Sequence, residues 1–274
     1  MKNLFTLDVN TGAHGCDEFL IRKSEDTLKL QLDESVKSVD STIAKILKPL
    51  IIISFITFVC GIVFTGIFFE GCRNKNFAQA YSTVGWMLYV GIATLVPAVI
   101  LFAAAIIWMR KFMANPQTQS RFEEQNELVS KIASGLGIPE NCAKIDVLCR
   151  PYKLKNGKEH YQGKQYENFS MWVFTENDNL CFADVSGVWA FPISSITSVT
   201  LFPGHTKLTT WNKEENVNSP KYKREVRFYN GDYFVKGYYS LQLERQGEEW
   251  EVLIPVYDIE PICELTGKDP DQLT

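Results

Sequence analysis

Side chains that could perform catalysis or bind a metal form no familiar motif in this 274-residue chain. The three histidines, His14, His160 and His205, have no second metal ligand close to them in sequence. The glycine patterns that cradle phosphate, the nucleophile elbow of hydrolases and the zinc-protease helix motif do not occur. We therefore expect no catalytic residue, no metal and no cofactor, and we expect that the protein is not an enzyme.

Seven cysteines are spread along the chain, an odd number without close pairs. This spacing argues against a disulfide framework and against a zinc ribbon. Free cysteines of this kind are most often small buried apolar residues. They are Cys16, Cys60, Cys72, Cys142, Cys149, Cys181 and Cys263.

The segment 150–164, RPYKLKNGKEHYQGK, is the clearest local concentration of positive charge. Its basic residues are Arg150, Lys153, Lys155, Lys158 and Lys164. A lysine close to anionic lipid contributes on the order of 1 kcal/mol to binding, which makes this segment a candidate lipid-binding site. Solvated loop lysines are the alternative interpretation. The net charge of the whole chain is −4, and this acidic balance argues against a nucleic-acid partner.

Two features of the segment 205–227 are further candidates for binding. Trp211 lies in the polar stretch TTWNKEE, where an exposed indole would suit a partner-binding site, although the ring could equally fold back over the domain. A second basic group alternates along a predicted strand and is equally explained as an exposed sheet face. Its members are Lys221, Lys223, Arg224 and Arg227.

Two uncharged segments predict the membrane elements to which the domains with these candidate residues are attached. Residues 49–69 run for 21 residues without a charge, and residues 82–109 run for 28. A helix needs about 20 apolar residues to cross the hydrocarbon core of a bilayer. The first segment is too long, and too far along the sequence, for a signal peptide. We predict a transmembrane helical hairpin within residues 45–110.

The basic residues that flank these segments predict the orientation of the helical hairpin. Those outside the hairpin are Lys37, Lys45, Lys48, Arg110, Lys111 and Arg121, whereas the connecting loop carries only Arg73 and Lys75. This distribution predicts a multi-pass protein of the plasma membrane with both termini in the cytoplasm. No Asp, Glu, Lys, Arg or His lies inside either span, which argues against a pump or carrier.

Proline and small residues within the spans raise two further expectations. Pro97 removes one backbone donor in the middle of the second span, so we expect a kink there. Small residues allow helices to approach closely, either within the helical hairpin or between copies of the chain, so a homo-oligomer stays open. These residues are Gly61, Thr65, Gly85, Gly91 and Ala93.

The remaining sequence divides into soluble segments. Residues 111–142 predict a helical linker, with its helix at about 118–135, and residues 268–274 form a tail. Within the first 44 residues, EFLIRK and TLKLQL read as a strand pair before a helix from about residue 33. We interpret this segment as a cytoplasmic one that adds strands to the C-terminal domain.

Residues 143–267 predict a β domain that ends in one short helix. Apolar and polar residues alternate there in six to eight segments, and Asn177-Asp178-Asn179 predicts a tight turn. Asp258 and Gly267 are the expected start and stop of the C-terminal helix. The expected core residues are Trp172, Phe174, Phe182, Ile193 and Ile196.

Three stretches carry a resemblance to a known family: FTENDNLCFAD, FPISSITSVTLF and LIPVYDIEPICELTG. Together with the helical hairpin they resemble the bacterial pleckstrin-homology-like membrane proteins, of which the YcxB-like group is the nearest. The resemblance implies an α+β membrane protein, with a two-helix transmembrane hairpin and an antiparallel β sandwich or barrel capped by a C-terminal helix. It also implies that basic residues between the first two strands contact lipid phosphates.

The function expected from these observations is non-enzymatic. The protein would display its cytoplasmic β domain at the membrane surface as a scaffold, with membrane lipids, and a second membrane or cytoplasmic protein, as partners. The alternative is an accessory subunit of a channel or transporter that assembles through the helical hairpin.

Overall fold

Three helices fill the centre of the chain in this computed structural model, which describes residues 1–9, 12–73, 77–161, 166–208, 225–229 and 232–268. They are α1 (Asp26–Arg73), α2 (Phe77–Met113) and α3 (Pro116–Gly135). The chain divides into a helical unit, Leu30–Val129, and a β unit that combines Met1–Lys29 with Ser130–Thr274. The β unit is therefore built from both ends of the sequence.

Two of these helices are long and apolar enough to span a membrane. The best window of each has a mean hydropathy of 2.6, and only 11% and 17% of the two windows are buried. A core helix of a soluble protein would be mostly buried instead. Their large apolar side chains point outward, as Phe55 and Phe102 show.

Small residues bring α1 and α2 together. A Cβ atom built on Gly91 would lie 2.3 Å from Thr65 Oγ1 and 3.2 Å from the Gly61 carbonyl oxygen. Ser54 Oγ donates a hydrogen bond to the Ala98 carbonyl oxygen at 2.8 Å. Gly61 and Gly91 therefore serve the packing within the helical hairpin. α2 is continuous on both sides of Pro97.

The helix expected near residues 118–135 is confirmed as α3, and it packs on the first part of α1. Gln125 Nε2 donates to Ser35 Oγ at 3.1 Å, and Arg121 Nη1 donates to Ser38 Oγ at 3.4 Å. The order of these pairs shows that α3 runs antiparallel to α1. The polar part of α1 and α3 thus extend the two-helix packing beyond the apolar segments.

The strand expected at TLKLQL is wrong, because α1 already begins at Asp26. Leu32 and Val39 are buried on α1, and Leu28 and Ser35 are partly buried. These four residues are spaced four, three and four apart, so they occupy one face of a helix. The local alternation of leucine and polar residues imitates a strand, but the longer helical seam decides the structure.

Fourteen strands are described in the β unit. Those near the start of the chain are β1 (Lys2–Asn3), β2 (Phe5–Asp8), β3 (Gly12–Gly15) and β4 (Leu20–Lys23). The next are β5 (Ala143–Cys149), β6 (Pro151–Lys155), β7 (Lys158–Tyr161), β8 (Glu167–Glu176), β9 (Asn179–Ala183) and β10 (Gly187–Pro192). The last are β11 (Ile196–Leu208), β12 (Val226–Tyr229), β13 (Asp232–Arg245) and β14 (Glu248–Pro255), followed by α4 (Ile259–Thr266).

Most of these strands form one large sheet in the order β11-β13-β14-β5-β8-β9-β10-β4. Seven of them form what we call the seven-strand series, in which all pairings are antiparallel. β5, β8, β9 and β10 pair in succession, β11, β13 and β14 pair in succession, and β14 pairs with β5 at Leu253 and Leu148. A smaller sheet has the order β3-β2-β6-β7. The architecture is therefore mixed α and β, with a large, mainly antiparallel sheet and a C-terminal helix.

The strands near the start of the chain belong to these two sheets. β1 pairs with β14, β4 pairs with β10, and β2 pairs with β6. The interpretation that this segment adds strands to the C-terminal domain is confirmed by these pairings.

The main core contains Phe182 and Ile196, as expected, and Ile193 packs against it. Phe174 is also buried. Trp172 was expected in this core, and that prediction is wrong: it is only partly buried, and Lys144 Nζ lies 5.3 Å from its ring centre. Side chains alternate between the two faces of β8, so the residues next to Trp172 in sequence lie on the buried face instead.

The predicted turn and helix stop are confirmed by the backbone. Asn177 and Asp178 adopt φ angles of 50° and 61°, and Gly267 ends α4 with a φ of 65°. Asp258 stands at the N-cap of α4, but its side chain makes no capping bond. Its Oδ2 accepts the backbone N–H of Asp146 at 2.6 Å instead.

Asp146 is the centre of a buried polar network. Its Oδ2 accepts hydrogen bonds from Asn168 Nδ2 at 3.0 Å and from the Tyr257 hydroxyl at 2.6 Å. Its Oδ1 accepts one from Ser170 Oγ at 3.0 Å. A buried carboxylate is stable only when hydrogen-bond donors surround it. Because these donors come from different elements, the network joins β5 and β8 to the residues that lead into α4.

Candidate functional site

The basic segment 150–164 was expected to be a loop, and the structure shows a β-hairpin there. β6 and β7 are joined by Asn156 and Gly157, whose φ angles of 52° and 72° suit a two-residue hairpin turn. The hairpin leaves β5 and returns towards β8, so it lies between the first two strands of the seven-strand series.

The hairpin register places three of the predicted lysines on one face. Lys153 lies opposite His160, and Lys155 lies opposite Lys158. Residues directly opposite in an antiparallel pair share a face, and so do residues two apart on one strand. We call Lys153, Lys155 and Lys158 the lysine face. Within the described ranges, none of the three has an ion-pair partner.

Arg150 is separated from the lysine face. Its guanidinium carbon lies 4.9 Å from the centre of the Tyr161 ring, on the side of the hairpin that carries Tyr152 and Glu159. The Tyr161 hydroxyl donates to Glu159 Oε2 at 2.7 Å, and this bond, together with burial, raises the pKa of Tyr161. Arg150 therefore packs on an aromatic ring on the opposite side of the hairpin.

The start of the chain supports this hairpin. In β2, Leu7 lies opposite Pro151 and Asp8 lies opposite Tyr152, and the Val9 N–H donates to the Tyr152 carbonyl oxygen at 3.0 Å. Burial raises the pKa of Tyr152. These pairings join residues far apart in sequence, and no local pattern predicted them.

Several candidate residues fall outside the described residues. Lys164 and Trp211 are among them, so their predicted roles in lipid and partner binding stay predictions. Of the second basic group, only Arg227 is described, and it is exposed on β12. The others are Lys221, Lys223 and Arg224.

The sequence reasoning missed a second surface, on β11, β12 and β13. His205, Arg227, Phe228, Tyr229 and Phe234 line an open cleft of about 440 Å³. We call these five residues the aromatic tip. A strand with one solvent face alternates apolar and polar residues, but β12 carries aromatic side chains on both faces. The consecutive aromatic residues at 228 and 229 were the signal that could have revealed this surface.

Side chains that could hold a metal ion do not cluster in the part of the chain that the structure describes. No group of three or more His, Cys, Asp or Glu side chains suited to a metal ion occurs among those residues. The buried carboxylates Asp146 and Asp258 bond to their own fold. Burial also raises the pKa of the Cys181 thiol to about 11, which makes it a poor nucleophile near neutral pH.

Comparison of the chain with family models, with curated proteins and with solved structures finds no match. The resemblance to the bacterial pleckstrin-homology-like group therefore stays a prediction. The structure itself establishes two helices long and apolar enough to span a membrane, and a β domain that exposes a lysine face and an aromatic tip.

Proposed function

We propose that this chain is a non-enzymatic, two-pass membrane protein whose β unit binds anionic lipid headgroups through the lysine face. The observation that carries this proposal is the register of the β6–β7 hairpin, which puts Lys153, Lys155 and Lys158 on one side and Glu159 on the other. At on the order of 1 kcal/mol for each lysine, the three contribute about 3 kcal/mol, or roughly a hundredfold in binding.

The pairing of distant strands supports an even number of membrane crossings. β1 and β4 precede α1, yet they pair with β14 and β10, which follow α2. This pairing supports one shared compartment for the residues on both sides of the two apolar helices. The flanking basic residues, such as Lys45 and Arg110, favour the cytoplasm of a plasma-membrane protein as that compartment.

The sheet topology supports the pleckstrin-homology-like interpretation of the β unit. A seven-strand antiparallel series with one C-terminal helix agrees with the fold that the resemblance implies. The lysine-bearing hairpin lies between the first and second strands of this series. That is where the resemblance places the residues that contact phosphate.

Hydrogen exchange of the full chain in lipid nanodiscs tests the proposal. We expect slower exchange at the β7 amides in discs that contain phosphatidylglycerol than in discs of phosphatidylcholine alone, because headgroup contact shields the hairpin. The difference should shrink as salt is added. Replacement of Lys153, Lys155 and Lys158 by Gln should remove it.

Glu159→Gln is the matched control. It changes one charge on the opposite side of the same hairpin, so the lipid-dependent difference should persist. Equal exchange in the two kinds of disc for the natural sequence would exclude anionic lipid as the ligand of the lysine face.

A further inference from the structure

The aromatic tip is exposed to an unusual degree for the β unit. Phe228 is 63% exposed and Tyr229 is 67% exposed. Phe55 on the apolar part of α1 has the same exposure, 66%. Most other phenylalanines of the β unit are buried in the cores, as Phe19 and Phe182 are. The rings of the tip are thus as exposed as a side chain on an apolar helix, which suits apolar surroundings.

These exposed rings are fixed by packing beneath them. The Phe228 ring lies 5.0 Å from that of Tyr233, and the Phe202 and Tyr238 rings stack at 5.3 Å. Phe228 is therefore held against Tyr233, which packs on a buried cluster that includes Val235.

The charged residues nearest the exposed rings have both signs. Arg227 lines the cleft together with His205 and the aromatic rings, and Asp232 lies opposite Tyr229 in the pairing of β12 with β13. The nearby acidic residue Glu225 lies 3.7 Å from Lys236 Nζ, which offsets its charge. Aromatic rings with arginine at their edge suit the headgroup region of an anionic bilayer, where amphipathic rings sit between water and hydrocarbon.

The aromatic tip and the lysine face lie on neighbouring parts of the β unit. The Tyr166 N–H donates to the Lys207 carbonyl oxygen at 3.0 Å, which joins the start of β8 to the end of β11. Tyr166 is five residues beyond Tyr161, the last residue of β7, and five residues span at most about 18 Å. The β6–β7 hairpin and the strands that carry the aromatic tip are therefore close neighbours in the β unit.

We propose that the aromatic tip inserts into the headgroup region of the membrane in which the protein is anchored. This inference rests on the proposed function and adds a second contact with the membrane. The lysine face attracts anionic headgroups, whereas the aromatic rings insert between them. The anchor favours the protein's own membrane, because a tethered site meets that bilayer at a high effective concentration.

Photo-cross-linking of the full chain in anionic nanodiscs tests this inference. Benzoylphenylalanine replaces Phe228 or Tyr229 in turn, and intact-mass spectrometry detects lipid attached to the protein. Deuterated vesicles are added, so the mass of each adduct tells which membrane the lipid came from. We expect light-lipid adducts at both positions, with yields within about threefold of those at Phe55, the positive control.

Ile21 is the matched negative control, because it is 53% exposed on β4, at the opposite edge of the large sheet from β11. A benzoylphenylalanine there should give little lipid adduct. Arg227→Glu should lower the yield at Phe228 several-fold. Absence of lipid adducts at both tip positions would overturn the inference, as would heavy-lipid adducts or a cross-link to a second polypeptide.

The two proposals fail in different ways. If β7 exchange depends on the lysines and on anionic lipid but the tip gives no lipid adduct, the inference fails and the proposed function stands. If the tip cross-links to lipid while replacement of the lysines changes nothing, the lysine-face proposal fails and the insertion of the tip stands.

Discussion

The apolar parts of α1 and α2 expose most of their large apolar side chains, whereas the β unit buries most of its own. α1 and α2 keep Gly61, Ser54 and Ala98 inside and turn Phe55 and Ile62 outward. The β unit buries large rings such as Phe182, and its surface is mostly polar. Residues of one type thus meet different surroundings in the two units.

This difference agrees with the proposal that the helical unit lies in lipid and the β unit in water. Helices that associate in lipid gain little from burying leucine or phenylalanine, so small residues that allow close packing occupy their interface. In water the burial of large apolar groups drives folding. The aromatic tip is therefore an exception within the β unit, because its large rings face outward as those of the apolar helices do.

The largest effect that we predict is a loss of stability on substitution in the interior of the β unit. Asp146→Ala removes the acceptor for Asn168, Ser170 and Tyr257, and the first and last of these residues are buried. We expect a loss of about 4 kcal/mol in the free energy of unfolding. Urea unfolding in mild detergent, followed by tryptophan fluorescence, measures it. Asp146→Asn keeps one acceptor and should lose less; equal losses would contradict the role of the network.

The next prediction compares the outer surfaces. Ile62 on α1 is 51% exposed and Ile21 on β4 is 53% exposed. Ile62→Arg places a charge among side chains that we assign to lipid and should cost about 3 kcal/mol in membrane insertion. Ile21→Arg should change stability by no more than about 0.5 kcal/mol. Insertion is measured by the fraction of protein that resists carbonate extraction. Equal behaviour of the two variants would refute the assignment of different solvents.

The smallest effect concerns the packing of the helical unit. Gly91→Val places new atoms against Thr65 and Gly61, because a Cβ there would lie 2.3 Å from Thr65 Oγ1. We expect a loss of about 2 kcal/mol from overpacking. Gly66→Val is the control, since nothing lies within 4 Å of a Cβ built there. Helical circular dichroism during heating in detergent should show a lower midpoint for the first variant alone.

The sequence predicted what local pattern controls. The absence of charge at 49–69 and 82–109 identified the two apolar helices, and Asn177-Asp178 identified a turn. TLKLQL failed because its two-residue alternation competes with a helical seam that shows only over a longer stretch. Asn156-Gly157 is a strong hairpin signal, and it was overlooked among the lysines.

The candidate site depends on contacts that local sequence does not encode. The separation of Arg150 from the three lysines follows from the strand register, which the hairpin turn sets. The support of Tyr152 by β2 joins residues more than 140 positions apart. The exposure of Phe228 depends on what neighbouring strands leave uncovered. Each of these follows from tertiary structure.

The split origin of the β unit gives its assembly an order in time. β4 leaves the ribosome early, but its partner β10 is made only about 160 residues later, after both apolar helices. At 5–20 residues per second this delay is roughly 10–30 s. During that interval β1 and β4 have no partner strands, whereas β2 can already pair with β3. The large sheet is therefore completed only after both apolar helices have been made, so under the proposed function the β unit finishes folding after the membrane-spanning part has been synthesised.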